Sequence, residues 1–486
     1  MNHISDFSPF NASIGDLEVE NLSVLREVEE GWYVDYKEAS ISAKRIAKSL
    51  ASFANTYGGW LFFGVREKSR SEPVAGEFPG LRSEEAHKLV ECLRHGAAAW
   101  LSHSPYFETQ ILRGPCEELG LLEDKSVVVI FIPQSWSAPH IHKDGGIYRR
   151  VESSSEPTKE SDRYAIEQLF KRRETPNKII KKWIKRKPEF SDSEVERPVI
   201  RVLLDVDPFF NKNLNLSISE KEAVEILKNR NAPSVVESIP FDTVQLHASG
   251  LLGSQTRANN FESTGVSLKV NSDLSGEILI PINRMDHADF HAQRIYMEEY
   301  EHFSEFSKNF RCDDGYYRNK IADLNYTMIA ISGILYVYMN ILSKCGWKDE
   351  LYVKVQAFNI WRAIPFLDVQ YYMDWIEEHG CPMPPHNNEL FPSGYAPESF
   401  VKINCDELSY DDSMDMSREQ QEAVMYNTKY TIEIFKLVCR VFGVPDFVQA
   451  RDFMHSDNNV ENYKQLRDLR SRVFRIIELN RRSGAL

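Results

Sequence analysis

Apolar and polar positions in the first third of the chain follow two spacings, and the changes between them mark the predicted elements. Val34 to Lys37 reads as extended. Over Ile41 to Thr56, the apolar positions Ile46, Leu50, Phe53 and Ala54 recur at helical spacing. Tyr57-Gly58-Gly59 then stops the helix, because glycine relieves the left-handed cost at a helix end. Trp60 to Val65 is a short apolar run, the pattern of a strand covered on both faces. An amphipathic helix is predicted over Ser83 to Leu101, with Ser83 as its cap and Glu84 and Glu85 near its positive end. Tyr106 to Leu112 and Lys125 to Ile132 read as strands joined by a polar turn. Gly145-Gly146 opens a last strand, Ile147 to Val151, ahead of a helix from about Glu160 to Arg173.

Beyond Pro198 the pattern changes. Strands are predicted at Val199 to Val206, Thr243 to His247, Val266 to Val270 and Glu277 to Ile280, and helices from about Asp289. Long helices are expected over Asn319 to Lys344 and Arg418 to Val441, a strand at Leu351 to Phe358, and a final helix near Glu461 to Leu479. The fold class is therefore α+β: an N-terminal α/β domain, then a mixed, largely helical α+β domain. The predicted boundaries are 1–175 for the first domain, 176–197 for a basic segment and linker, and 198–486 for the second, strand-rich to about 285 and mainly helical after it. Leu324 to Ser343 carries no charge over a length that crosses a bilayer. Its Asn325, Thr327, Ser332 and Asn340 argue for a buried core helix and no membrane.

A chain of 486 residues exceeds one ordinary core, which agrees with two domains. Its formal charge of −14 is unevenly spread. Residues 1 to 187 carry 27 basic and 27 acidic groups, so the remainder holds 31 of the 58 basic and 45 of the 72 acidic ones. A polyanion should therefore prefer the N-terminal part. The seven cysteines are odd in number and never form a CxxC pair, so neither a disulfide framework nor a zinc site is signalled. The first twenty residues mix polar and acidic positions, and no secretory leader is expected. A reducing, cytoplasmic setting is the simplest home.

Candidate chemistry gathers around the first two strands. Glu30 and Asp35 lie before and on the first, and Glu67 lies just after the second. If the strands are neighbours joined by the helix Ile41 to Thr56, their ends meet, and three carboxylates could share one Mg²⁺ or Mn²⁺. Lys37, on the same strand face as Asp35, would reach a scissile phosphate or balance the acids. On spacing alone an ordinary solvated set is the commoner case. Asn55, Thr56, Gly58 and Gly59 read as a structural turn that satisfies backbone groups. No GxxxxGK[ST] phosphate loop and no GxSxG nucleophile motif occurs. His140 and His142 read as surface or hydrogen-bonding residues, since no third ligand lies near them in sequence.

The basic run Lys171 to Lys187 holds nine basic residues against Glu174 alone. Lys178, Lys181, Lys182, Lys185, Arg186 and Lys187 are candidates for RNA-backbone contact, with Trp183 as a stacking face. Arg149 and Arg150 are a second, smaller candidate.

The strings Val34-Asp-Tyr-Lys37, Ser52-Phe-Ala-Asn-Thr-Tyr-Gly-Gly-Trp-Leu-Phe-Phe-Gly-Val65, Pro139-His140 and Gly146-Ile-Tyr-Arg-Arg-Val-Glu-Ser153 resemble the Schlafen AlbA-like domain over about Val19 to Arg173. In nuclease-active members a Glu, a second Glu five residues on, and an Asp after the Gly-Val hold the metal. Carried over, these positions fall on Glu30, Asp35 and Glu67. Asp replaces Glu at 35 and Glu replaces Asp at 67. The resemblance implies an Mg- or Mn-dependent endoribonuclease cutting structured, tRNA-like RNA, with a stress or antiphage role by analogy. The central string occurs once, so a homodimer would supply a second lobe. The rival reading is a non-catalytic nucleic-acid-binding regulator with a C-terminal sensing or interaction domain.

Overall fold

The apolar face predicted for the first helix is what organises the N-terminal unit. In the computed structural model, α1 (Ala43–Asn55) buries Ile46, Leu50, Phe53 and Ala54 completely. Each of the three larger side chains contributes roughly 1.5–3 kcal/mol. The structure describes residues 7–10, 14–69, 71–151, 154–188, 197–210, 214–228, 241–255, 265–282, 284–285, 300–308, 320–347, 350–403, 417–445, 468 and 471–472. Contacts divide the chain into two units, residues 1–181 with 209–213, and 182–208 with 214–486.

In the first unit β1 (Val34–Lys37) and β2 (Gly58–Phe63) pair in parallel, with Asp35 opposite Leu61, and α1 is the crossover between them. β2 pairs antiparallel with β7 (Lys125–Pro133), which also pairs with β6 (Glu108–Arg113) and β5 (Leu81–Arg82). One sheet face packs on α1 and α2 (Ser83–Trp100), through Leu61, Phe63, Val128, Ile130 and Ile132. The other packs on the N-terminal segment, through Phe10, Ile14, Leu17, Leu22 and Leu25.

Two short hairpins flank the sheet: β3 (Arg66–Ser69) with β4 (Glu72–Glu77), and β8 (Tyr148–Val151) with β9 (Ser154–Lys159). The spacing of apolar positions missed β3, β4 and β9, because they are mostly exposed or rich in charge and lack an apolar face. At α2 the cap is Arg82 rather than Ser83, and the Arg82 N–H donates to the Glu85 carboxylate at 3.2 Å. The predicted helix after Glu160 begins at Arg163 (α3, Arg163–Arg172), capped by Asp162.

Part of the segment 176–197 expected to be a linker is helical: α4 runs Glu174–Lys185. Residues 189–196, the acidic part of that segment, lie outside the described residues.

The second unit is built on a sheet ordered β11 (Thr243–His247), β12 (Gly250–Ser254), β13 (Ser267–Asn271), β14 (Gly276–Pro281), β10 (Val199–Asp205), β17 (Leu351–Phe358) and β19 (Glu389–Phe391). β20 (Val401–Ile403) also pairs with β17. A smaller sheet holds β15 (Arg284–Met285), β16 (Lys320–Asp323) and β18 (Ala363–Phe366). Among the described residues after 285, short strands not expected from the pattern lie between the helices. β16 and β18 to β20 are only three or four residues long, too short to show a period. Against the large sheet lie Leu324–Lys344, a core helix as expected, and Arg418–Val441. Among the described residues, Leu324–Lys344 is long and apolar enough to cross a membrane, and most of it is buried in the core. The predicted helix start at Asp289 and most of the predicted helix 461–479 fall outside the described residues.

Candidate functional site

The parallel pairing of β1 on β2 decides which way the first candidate carboxylate points. Val34 and Tyr36 face the N-terminal segment, so Asp35 and Lys37 face the α1 side. Asp35 is closed to solvent and Lys37 is partly open. The Lys37 ammonium lies 2.6 Å from Asp35 Oδ1, and the Arg150 guanidinium lies 3.2 Å from Oδ2. Both carboxylate oxygens therefore already accept from a cation.

Glu30 joins this cluster from the chain just before β1. Its carboxylate accepts from the Tyr36 backbone N–H and also lies beside Asp35. Burial first, and then the Asp35 charge, push Glu30 up to about 8, so at neutral pH it keeps its proton. Two carboxylates and Lys37 thus share one partly enclosed point, the kind of perturbed group that clusters at functional sites.

Glu67 does not join them. It sits on β3 opposite Ala75 of β4, whereas Glu30 lies against β4 through its N–H bond to Pro73 O (2.8 Å) and the adjacent Glu29–Val74 bridge. β4 thus intervenes, and adjacent strands are already about 4.8 Å apart. Among the described residues, no group of three or more His, Cys, Asp or Glu is placed to hold a metal ion. The donor set therefore does not fit the three-carboxylate metal site implied by the resemblance. Glu30 and Asp35 meet, and Asp35 is enclosed by Lys37 and Arg150.

Arg150, expected at an RNA surface, is buried instead. It donates to Gly31 O (2.7 Å from Nη2, 3.1 Å from Nε) and to Val34 O (3.1 Å), and its guanidinium lies 4.7 Å from the Phe53 ring centre. Arg149 is partly exposed and pairs with Glu160 at 2.7 Å.

The predicted turn residues hold β8 and the 140 segment to the end of α1. The Asn55 amide donates to His140 O and Tyr148 O, both at 3.0 Å, and accepts from His140 N–H at 2.8 Å. The Thr56 hydroxyl donates to Ser52 O and accepts from Arg150 N–H. Gly58 and Gly59 have φ of +76° and +152°, and a Cβ at 59 would stand 2.4 Å from Tyr33 O.

His140 and His142 are buried rather than at the surface. His140 Nδ1 donates to His103 O, leaving Nε2 to accept from the Ser135 hydroxyl at 2.7 Å. Burial, followed by His103, brings His140 down to about 3, which keeps it neutral. His142 lies 3.0 Å from the Asp144 carboxylate and stacks on Trp100.

The basic run forms a stripe along α4. Ile180 and Ile184 are buried, while Lys178, Lys181, Lys182 and Lys185 are exposed at i, i+3, i+4 and i+7, one face of the helix. Lys178 also pairs with Glu174 at 2.7 Å. Trp183 is half-buried and stacks on Phe400, with ring centres 6.3 Å apart, so that face is taken. Arg186 and Lys187 are exposed beyond the helix end, and Arg186 lines a hollow of about 290 Å³ with His247, Lys269 and Glu277.

Three aromatic residues that spacing did not single out lie at the start of the site: Trp32, Tyr33 and Tyr57. Their signal in sequence was the pair Trp32-Tyr33 immediately after Glu30-Gly31.

Residues 30–159 match the family model described as Schlafen, AlbA_2. The N-terminal third carries a Schlafen-like AlbA domain, a class that suggests nucleic-acid-binding or nuclease-like function. No curated protein matches the sequence. Among solved structures, the DIP2311 protein of Corynebacterium diphtheriae aligns with 42% of this chain and 36% of its own, at 16% identity and a TM-score of 0.19. The chain thus spans about a third of that protein, and so small a likeness carries no structural argument.

Proposed function

We propose that this protein binds structured, tRNA-like RNA through its AlbA domain and the basic helix α4 that follows it. The observation that carries the reading is the lysine stripe of α4, four ammonium groups on one exposed helix face within an otherwise acidic chain. Lysines so arranged neutralise successive phosphates and release their counterions, whatever the base sequence. A second lobe, needed to hold RNA from two sides, would come from a second copy of the chain in a homodimer. Binding is tested by titrating labelled tRNA at several salt concentrations. The log of affinity should fall linearly with the log of salt, and absence of retention at low salt overturns the reading.

A second reading is favoured by one observation, the juxtaposition of Glu30 and Asp35 beside Lys37, where burial and the Asp35 charge push the Glu30 carboxyl up. There the domain is an endoribonuclease, and were Mg or Mn to bind, Glu30 and Asp35 would hold it and it would supply charge stabilisation at the scissile phosphate. The carboxylate set does not form the three-ligand site. In this reading Lys37 would meet a phosphate oxygen and Glu30 would hold or release a proton. Incubation of the protein with total tRNA and Mn²⁺, beside an Asp35→Asn variant, separates the readings. Cutting by the wild type and not the variant establishes the nuclease. Retention of intact RNA by both leaves a binding protein.

A further inference from the structure

The turn before β1 is half-buried and firmly held. Glu30 N–H donates to Pro73 O, Gly31 N–H donates to Val34 O, and Arg150 grips the carbonyls of Gly31 and Val34 together. This pins Trp32 and Tyr33 at a fixed apex. Tyr33 stacks on Phe7, with ring centres 4.9 Å apart and planes at 19°, while the Tyr33 carbonyl accepts from Trp60 N–H. Tyr57, from the turn after α1, meets Trp32 edge to face at 5.4 Å and Tyr33 at 6.1 Å, and it is 42% exposed. A large aromatic ring left open to water on a fixed support is a preformed surface for another flat ring.

Two arginines lie near it, Arg172 and Arg149, the latter paired with Glu160. Arg172 lies close enough to Tyr57 and Arg149 to interact with both, and burial together with the Arg149 charge brings it down to about 10. Two long bonds hold its guanidinium against Ala54 O and Ser135 O, each 3.4 Å. Among the described residues, no carboxylate pairs with it. An aromatic shelf beside a guanidinium that no carboxylate among the described residues pairs with suits a stacked base and its phosphate better than it suits an apolar peptide.

We propose that Tyr57 and Trp32 form a stacking shelf for one unpaired base, with Arg172 and Arg149 taking the adjoining phosphate, so that the domain selects RNA carrying an unstacked nucleotide over continuous duplex. The proposal rests on the RNA-binding reading and specifies its substrate. A-form duplex offers no exposed base face, whereas a bulge or loop does.

The test uses the full chain and two fluorescein-labelled RNA hairpins, identical except that one has a single-nucleotide bulge. The wild type is expected to prefer the bulged hairpin by between about five- and a hundredfold, the range of one base stacked on an aromatic ring. Tyr57→Ala and Trp32→Ala should each bring the two affinities together, with the salt-dependent affinity for the paired hairpin kept. Tyr57→Phe, which preserves ring and fold, should retain the preference. If the wild type binds both hairpins alike, or the alanine variants keep the preference, the shelf is refuted and RNA binding stands. If it binds neither hairpin, both ideas fall.

Discussion

Replacing Glu30 by glutamine should change stability in a way that depends on pH, because the folded protein holds the Glu30 proton more tightly than the unfolded chain does. The carboxyl is raised from the usual 4.5 to about 8 by burial and by the Asp35 charge. The stability supplied by that proton is complete below about pH 4.5 and is lost as pH rises through about 8. At about 1.4 kcal/mol per pH unit the interval is worth roughly 5 kcal/mol, and the partial opening of Glu30 to water reduces this to roughly 2–4 kcal/mol. Glutamine is neutral at every pH, and its amide oxygen still accepts from Tyr36 N–H. The two proteins should therefore match near pH 5 and separate as pH rises, with Glu30→Gln the more stable at pH 8.5. For a unit of this size the gap corresponds to roughly 5–15 °C in Tm. Thermal melts of both proteins from pH 5 to pH 9 read it directly. A gap that stays constant across that range, or opens with the wild type on top, refutes the reasoning.

Three other substitutions probe the same framework. Arg150→Met strips the buried Asp35 of one cation and leaves the carbonyls of Gly31 and Val34 unserved, so chemical denaturation should register a loss of about 3–5 kcal/mol. A loss under about 1 kcal/mol would mean that Asp35 is not held as described. Gly59→Ala drives a methyl onto Tyr33 O and the Phe53 ring at a φ of +152°, and should lower the yield of soluble protein or the first melting transition by several degrees. Changing Lys181 and Lys182 to glutamine should weaken tRNA binding at low salt, and should lower the slope of log affinity against log salt by about 1 to 2. An unchanged slope removes α4 from the interface.

The first strand, the crossover helix and the second strand were readable because each is a local pattern. The apolar residues of α1 recur at helical spacing, Gly58 and Gly59 can turn where other residues cannot, and Trp60 to Phe63 has no polar position to expose. The site was only half readable for the same reason. Asp35 and Lys37 lie two residues apart on one strand, so sequence alone places them on one face. Arg150 reaches Asp35 from 115 positions away, and nothing local distinguishes it from its partly exposed neighbour Arg149.

By itself, then, the sequence determined the succession of β1, α1 and β2, the basic run Lys171 to Lys187 and the buried character of Leu324–Lys344. Those follow from spacing, which a chain carries wherever it folds. Only the tertiary structure decided that β4 keeps Glu67 apart from the other two carboxylates, that Arg150 serves the core, and that Trp183 packs on Phe400. It also decided that Tyr57 stays open beside Trp32. Each of these depends on which strand or ring arrives from a distant part of the chain to exclude water from a charged or aromatic group.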